Sequence, residues 1–228
     1  AVVPAAGVGA RMRADVPKQY LPLLGQTIVG RTVERLASHP RVDEVVIAVS
    51  PDDAYWPDVA ATLAVMPRVV AGGAERANSV LNALDAICAD GAREDWAMVH
   101  DAARPCLQHD DIDNLLDAAA AHDPNGAILA MPVRDTMKRT DAEGRITDTV
   151  SREHLWHALT PQVFRAGALR DAIRAAIAAG VNVTDEASAM EWTGAVPRVV
   201  SGAADNIKVT QPEDLRLAEA FLRAQGER

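Results

Sequence analysis

Apolar, β-branched runs recur along the 228-residue chain at 1–4, 44–50, 68–71, 96–100, 126–133 and 198–201. Several read Val-Val or Val-Ile with little polar alternation, the pattern of strands covered on both faces. Helical patterns fall between them. Over 110–122, Ile112, Leu115, Leu116 and Ala119 share one stripe; over 74–90, Val80, Leu81, Leu84, Ile87 and Cys88 do the same. Thr210-Gln-Pro-Glu213 reads as a capping box with proline in the first turn, opening a C-terminal helix. The alternation predicts an α/β fold, a mostly parallel sheet with helices on both faces. Ligands on such sheets sit beyond the carboxyl ends of the strands, so chemistry is sought there.

The segment 135–161 breaks this rhythm. Glu143-Gly144 is a turn signal between two short runs, and the segment reads as a hairpin arm. A lone two-stranded hairpin is marginal in water. The arm is therefore expected to meet a second copy of the chain, making a homodimer of single-domain subunits spanning 1–228.

Aromatic residues make up only 4% of the chain, so its core must be built from Ala, Val, Leu and Ile. A net charge of −9 argues against nucleic acid or an anionic membrane as partner. It leaves room for small anions gripped by a local cluster of cations. No apolar run reaches the ~18 residues of a membrane helix, and no leader pattern is visible. The start at Ala1-Val2-Val3-Pro4, inside an apolar run, reads as a strand lacking a few residues in front. Cys88 and Cys106 form no CxxC or zinc spacing, which suits a reduced, cytoplasmic setting.

Five constellations carry candidate chemistry. In the first, a strand runs into Pro4-Ala5-Ala6-Gly7-Val8-Gly9-Ala10-Arg11, with Lys18 seven residues on. Gly7 and Gly9 let the backbone approach phosphate oxygens closely, and Arg11 and Lys18 supply fixed charge. A dinucleotide fingerprint would need glycine where Met12 stands, and a P-loop would need Gly-Lys-Ser/Thr. The same residues would also make a plain strand-to-helix turn. In the second, His100-Asp101-Ala102-Ala103-Arg104 ends an apolar strand. Asp101 can accept a sugar hydroxyl or help hold Mg²⁺, and Arg104 can fork onto a phosphate; equally, Asp101 can cap a turn and pair with Arg104.

The third is Asp205 and Lys208, just ahead of the last helix. The fourth is Thr136 and Arg152 in the arm, either ordinary surface or groups lent to a neighbouring site. In the fifth, Gly72-Gly73 lead to a helix on which Ser79 could read a base edge. No HExxH, no GxSxG elbow and no nucleophilic cysteine context is present.

The segments PAAGVGARM, PKQY, GGAERANSV, VHDAARPC, PVRDTMKR, LWHALTPQ, TDEAS and DNIKVT, in this order over nearly the whole chain, resemble the 2-C-methyl-D-erythritol 4-phosphate cytidylyltransferase family. The first block is shared with many sugar nucleotidyltransferases; VHDAARP with PVRDTMKR and DNIKVT is far more specific. The resemblance implies a Rossmann-like nucleotidyltransferase fold, a homodimer exchanging its arms, and CTP and methylerythritol phosphate as substrates with Mg²⁺. It implies that Arg11 and Lys18 stabilise the transition state, and that Lys208 and Arg152 of the partner subunit position the attacking phosphate. Asp101, Arg104 and Thr136 of the partner subunit would bind the polyol phosphate. Pro4, Ala5, Ala6, Gly7, Gly9, Gly73, Ser79, Asp101 and Ala102 would form the nucleotide site, with Asp101 the one protein group near the metal. Some members carry an acidic residue where Ala74 stands, so backbone groups must serve there. A cytidylyltransferase for another polyol phosphate, such as ribitol 5-phosphate, and a non-catalytic nucleotide binder are the competing readings.

Overall fold

Residues 1–7 and 16–227 are described by a computed structural model. The first strand, β1 (Val2–Pro4), is followed by a 3-10 turn (Lys18–Tyr20), a small hairpin of β2 (Pro22–Leu23) and β3 (Gln26–Thr27), and α1 (Ile28–Ala37). Then come β4 (Val46–Val49), α2 (Trp56–Ala60), β5 (Arg68–Ala71), α3 (Arg76–Ala89), β6 (Trp96–Val99), α4 (His109–Ala121) and β7 (Ala127–Pro132). After β7 the chain forms β8 (Met137–Thr140), β9 (Ile146–Val150), β10 (Trp156–Arg165), α5 (Ala166–Ala178), α6 (Glu186–Trp192), β11 (Arg198–Ser201) and α7 (Pro212–Ala224).

Seven strands join in the order β11-β7-β10-β6-β1-β4-β5. β1 runs parallel to β4 and β6, β4 to β5, and β11 to β7; β10 is antiparallel to both its neighbours. Adjacent residues of one strand serve opposite cores. Val3, Ile47 and Met98 pack with Val33, Leu36, Ile112 and Leu115 from α1 and α4. Val2, Val46 and Val99 pack with Leu84, Leu169, Ile173 and Met190 from α3, α5 and α6. Strands covered on both faces have no polar position to alternate, which is why they read as unbroken apolar runs.

Two expectations need correcting in detail. The capping box of α7 lies one residue later than Thr210–Glu213: Gln211 is the N-cap and Asp214 its partner. Asp214 accepts from the Gln211 and Thr210 backbone N–H groups at 2.9 and 2.8 Å. The hairpin arm is β8 paired with β9, whereas Trp156–Arg165, which includes the last part of the 135–161 segment, is a strand of the main sheet. Pro161 argues against a central strand because it donates no ladder bond. Here the register with β7 shifts between Ala158 and Gln162, so Pro161 falls where the ladder is interrupted. The 28–37 helix, with its Thr27 hydroxyl accepting from Gly30 N–H at 3.1 Å, has no counterpart among the expected helices.

Candidate active site

The loops that leave β1, β5 and β6 at their carboxyl ends converge with the segment ahead of α7 around an open cleft. Pro4, Ala5, Ala6, Gly7, Lys18, Gly73, Ser79, Asp101, Ala102 and Lys208 all line it. A second open cleft lies beside it, lined by Arg104, Thr160 and Gln162 among others; Arg76, Asp101 and Lys208 border both. Gly9 and Arg11 lie outside the described residues. Thr136 and Arg152 are exposed on the arm and line neither cleft of their own subunit; Arg152 donates to the Arg134 carbonyl.

The first cleft owes its shape to small residues in close contact. A Cβ on Gly72 would lie 2.2 Å from Ala6 Cβ, so only glycine lets the β5 loop pass this close to the β1 loop. Gly73 N–H donates to Ser79 Oγ at 3.0 Å, and that hydroxyl donates to the Glu75 carbonyl at 3.2 Å, tying the turn to the first turn of α3. Gln19, 4% exposed, donates from Nε2 to the Ala5 and Gly7 carbonyls, both at 2.9 Å. That amide fixes the glycine loop to the turn that carries Lys18. Lys18 Nζ donates to the Val209 carbonyl at 3.1 Å, and Val209 N–H donates to the Ala103 carbonyl at 2.8 Å. Lys18, the 101–104 loop and the Lys208 segment are thus joined directly.

Asp101 is the electrostatic centre. Its Oδ1 meets Arg76 Nε at 3.0 Å; its Oδ2 meets Lys208 Nζ at 2.9 Å and Arg104 Nε at 3.5 Å. Burial by itself raises this carboxyl, but Arg76, Lys208 and Arg104 outweigh burial and hold it well below the usual carboxylate range. Arg76 also forks onto Glu186, with NH1–Oε1 at 2.6 Å and NH2–Oε2 at 3.1 Å. Arg104 donates from NH1 to the Asn206 carbonyl at 2.7 Å, and Asn206 Nδ2 donates to the Thr160 carbonyl at 2.8 Å. Asp205 turns elsewhere, accepting from Gln108 at 2.9 Å and Gln225 at 2.8 Å, and acts as a brace rather than a cleft residue.

His100, next to this centre, is fully buried. Its Nε2–H donates to the Arg104 carbonyl at 2.9 Å. Thr160 Oγ1 accepts from Asp101 N–H at 3.0 Å and gives its own proton to His100 Nδ1 at 3.1 Å. Both ring nitrogens are engaged and the neutral tautomer is fixed. Burial lowers the His100 pKa from 6.5 to about 4. The unfolded chain therefore takes up this proton first as pH falls through 6.5, and stability from this site is lost between 6.5 and about 4, amounting to about 3 kcal/mol. His100→Gln is expected to show a shallower fall in Tm than the parent over that window. Equal slopes would show that His100 does not carry this part of the acid sensitivity.

Gln19, Arg76, Thr160, Glu186 and Asn206 were not among the candidates read from the sequence. Gln19 beside Lys18, Arg76 between Gly73 and Ser79, and Asn206 between Asp205 and Lys208 had candidates for neighbours; Thr160 and Glu186 reach the site from other segments. Among the described residues no group of three His, Cys, Asp or Glu side chains could hold a metal ion. No described helix is long and apolar enough to cross a membrane.

A mostly parallel sheet with a glycine-lined cleft and fixed cations at its carboxyl edge is a Rossmann-like nucleotidyltransferase arrangement. The match to known proteins narrows it. The family model described as IspD: 2-C-methyl-D-erythritol 4-phosphate cytidylyltransferase matches residues 1–224. The chain is 56% identical to the 2-C-methyl-D-erythritol 4-phosphate cytidylyltransferase of Vibrio vulnificus strain YJ016, covering 100% of this chain and 96% of that one. It is 57% identical to the protein of that name from Shewanella amazonensis, over 99% and 93% of the two chains. The crystal structure of the Francisella tularensis enzyme of the same name superposes with a TM-score of 0.84 at 36% identity, covering 97% of this chain and 98% of that one. The chain belongs to the 2-C-methyl-D-erythritol 4-phosphate cytidylyltransferase family.

Proposed function

We propose that the two adjoining clefts hold the two substrates of one transfer, CTP in the glycine-lined cleft and the polyol phosphate beside Arg104. The reaction of the chain is transfer of CMP from CTP to 2-C-methyl-D-erythritol 4-phosphate, with release of pyrophosphate. The observation that carries the assignment of substrates to clefts is their common wall: Asp101 and Lys208 border both, so groups on either side of it lie within reach of one another.

The attacking phosphate oxygen is already anionic near neutral pH, since the second pKa of a phosphate monoester is about 6. No general base is required, and His100, neutral and engaged at both nitrogens, is not placed to be one. The obstacle is bringing two anions together and spreading charge over the α-phosphoryl oxygens and the departing pyrophosphate. Alignment and fixed cations lower that cost. Lys18 and Arg11 serve the α-phosphoryl group and the leaving group. Lys208 and Arg104 orient the attacking phosphate. Backbone groups at Ala5, Ala6, Gly7 and Gly73, with Ser79, surround the cytidine; Pro4 and Ala102 complete that wall.

Mg²⁺ fits this donor set only as an ion carried largely by the triphosphate, because Asp101 is one carboxylate already facing three cations. Asp101 would hold it, and the ion would supply charge neutralisation on the phosphates. Pyrophosphate release with methylerythritol phosphate against CTP, ATP, GTP and UTP tests the whole reading. Turnover with CTP alone is expected. Equal turnover of all four nucleotides, or faster reaction with ribitol 5-phosphate, would overturn the substrate assignment.

The working form is a homodimer in which the arm lends Arg152 and Thr136 to the partner's second cleft. β8 and β9 are exposed on both faces, with Met137 at 37% and Ile146 at 65% exposure, which supports a partner lying against them. Mixing inactive Arg152→Ala and Lys18→Ala subunits is then expected to restore about a quarter of parental activity, since half the dimers gain one complete site. No recovery after verified subunit exchange would show that Arg152 does not act across the interface.

A further inference from the structure

Arg76 and Glu186 stand behind the site, on the first turns of two helices 110 residues apart in sequence. Glu186 is 1% exposed, and Arg76 is its one ion-pair partner among the described residues. Its helix is pinned to the sheet: Gln162 on β10 accepts from Ala187 N–H at 2.8 Å and donates to Asp185 Oδ2 at 2.9 Å. Glu186 is therefore an anchored anion, and it binds both terminal nitrogens of Arg76, the edge best shaped for a phosphate. Only Nε is left for Asp101, at 3.0 Å. Arg76 nonetheless borders both clefts, one on each side of Asp101.

Two carboxylates, Asp101 and Glu186, thus face three cations, Arg76, Arg104 and Lys208. The cations are not equivalent. Arg76 is held on Oδ1 of Asp101 and neutralised from behind. Lys208 and Arg104 share Oδ2, and Lys208, with its side chain 40% exposed, faces the solvent-open clefts. An incoming phosphate can draw these two away while Asp101 stays fixed by Arg76.

We propose that Glu186 is a specificity-determining positioning residue: it occupies the fork of Arg76, so that Arg76 holds Asp101 in place for the polyol and is withheld from the phosphates of either cleft. Without that counter-anion, the fork of Arg76 turns to phosphate and Asp101 loses its rear support. Phosphate affinity then rises while recognition of the polyol falls. This rests on the cytidylyltransfer reading for the polyol, but not for the binding of a bare anion.

The test compares the parent with Glu186→Gln and Arg76→Lys. Pyrophosphate binding is measured by calorimetry, and KM and kcat for methylerythritol phosphate at saturating CTP. Glu186→Gln is expected to bind pyrophosphate about threefold to tenfold more tightly, while its KM for the polyol phosphate rises about tenfold or more and kcat falls less, the scale of one charge-assisted hydrogen bond. A role in folding alone would weaken both ligands together. Parallel weakening, or no change in either, in a variant with a parental circular-dichroism spectrum overturns the proposal. If Glu186→Gln does not fold, Arg76→Lys decides: a point charge cannot bridge both carboxylates, so a parental KM there also overturns it. Absence of turnover in the parent would defeat the cytidylyltransfer reading instead, and the pyrophosphate comparison would still decide on Glu186.

Discussion

Lys18→Ala is expected to lower kcat by ~10²-fold or more, the scale of removing one preorganised donor from developing charge. The side chain sits on a short 3-10 turn whose next two residues, Gln19 and Tyr20, are buried, so the backbone at Lys18 is set by its neighbours rather than by the lysine itself. Gln19 clamps that turn to the glycine loop, and Nζ already reaches across the cleft to the Val209 carbonyl. The ammonium is therefore positioned before substrate arrives, and removing it leaves the scaffold in place. The loss should fall on kcat more than on KM for CTP, because charge on the α-phosphoryl oxygens grows on the way to the transition state. Pyrophosphate release at saturating substrates, with Tm as a folding control, measures it. A folded variant that turns over within a few-fold of the parent would remove Lys18 from the chemistry.

The same geometry explains what could be read from the chain and what could not. Strands such as 44–50 and 96–100 announced themselves because both faces are covered, and α3 and α4 because each keeps one apolar stripe. The strand Trp156–Arg165 was hidden by Pro161, a residue that ordinarily excludes a central strand, and the break in register that admits it is a tertiary feature. The helix Ala166–Ala178 is rich in alanine, so its buried face, Leu169, Ala172, Ile173 and Ala176, contrasts weakly with its exposed one. In the site, glycines and cations close in sequence, Gly7 with Lys18 and Asp101 with Arg104, were legible as local patterns. Arg76, Glu186, Thr160 and Asn206 were not, since each acts on a group from another segment. Arg76 lies 25 residues from Asp101 and Glu186 lies 110 from Arg76, distances at which sequence gives no pairing rule.

Asp101→Asn is the substitution expected to cost the most in stability and in substrate recognition together. It leaves Arg76, Arg104 and Lys208 crowded around a neutral amide, and removing one member of a buried ion cluster typically costs 3–5 kcal/mol. Arg76 at 30% and Lys208 at 40% side-chain exposure are partly relieved by water, so about 2–3 kcal/mol is the better expectation. For a chain of this size that corresponds to a Tm lower by roughly 4–12 °C. The sign with pH follows from the depressed carboxyl. Its contribution is fully present above the ordinary carboxylate pKa and is lost only as pH falls through the lower folded value. The gap in Tm between parent and variant should therefore stay constant from pH 8 to pH 5 and narrow only in stronger acid. Added phosphate should raise the Tm of Asp101→Asn more than that of the parent, because an anion can replace the missing charge, while KM for the polyol phosphate rises. A variant with parental Tm and no greater response to phosphate would mean that the three cations do not depend on Asp101, and that the wall between the clefts is held by something other than charge.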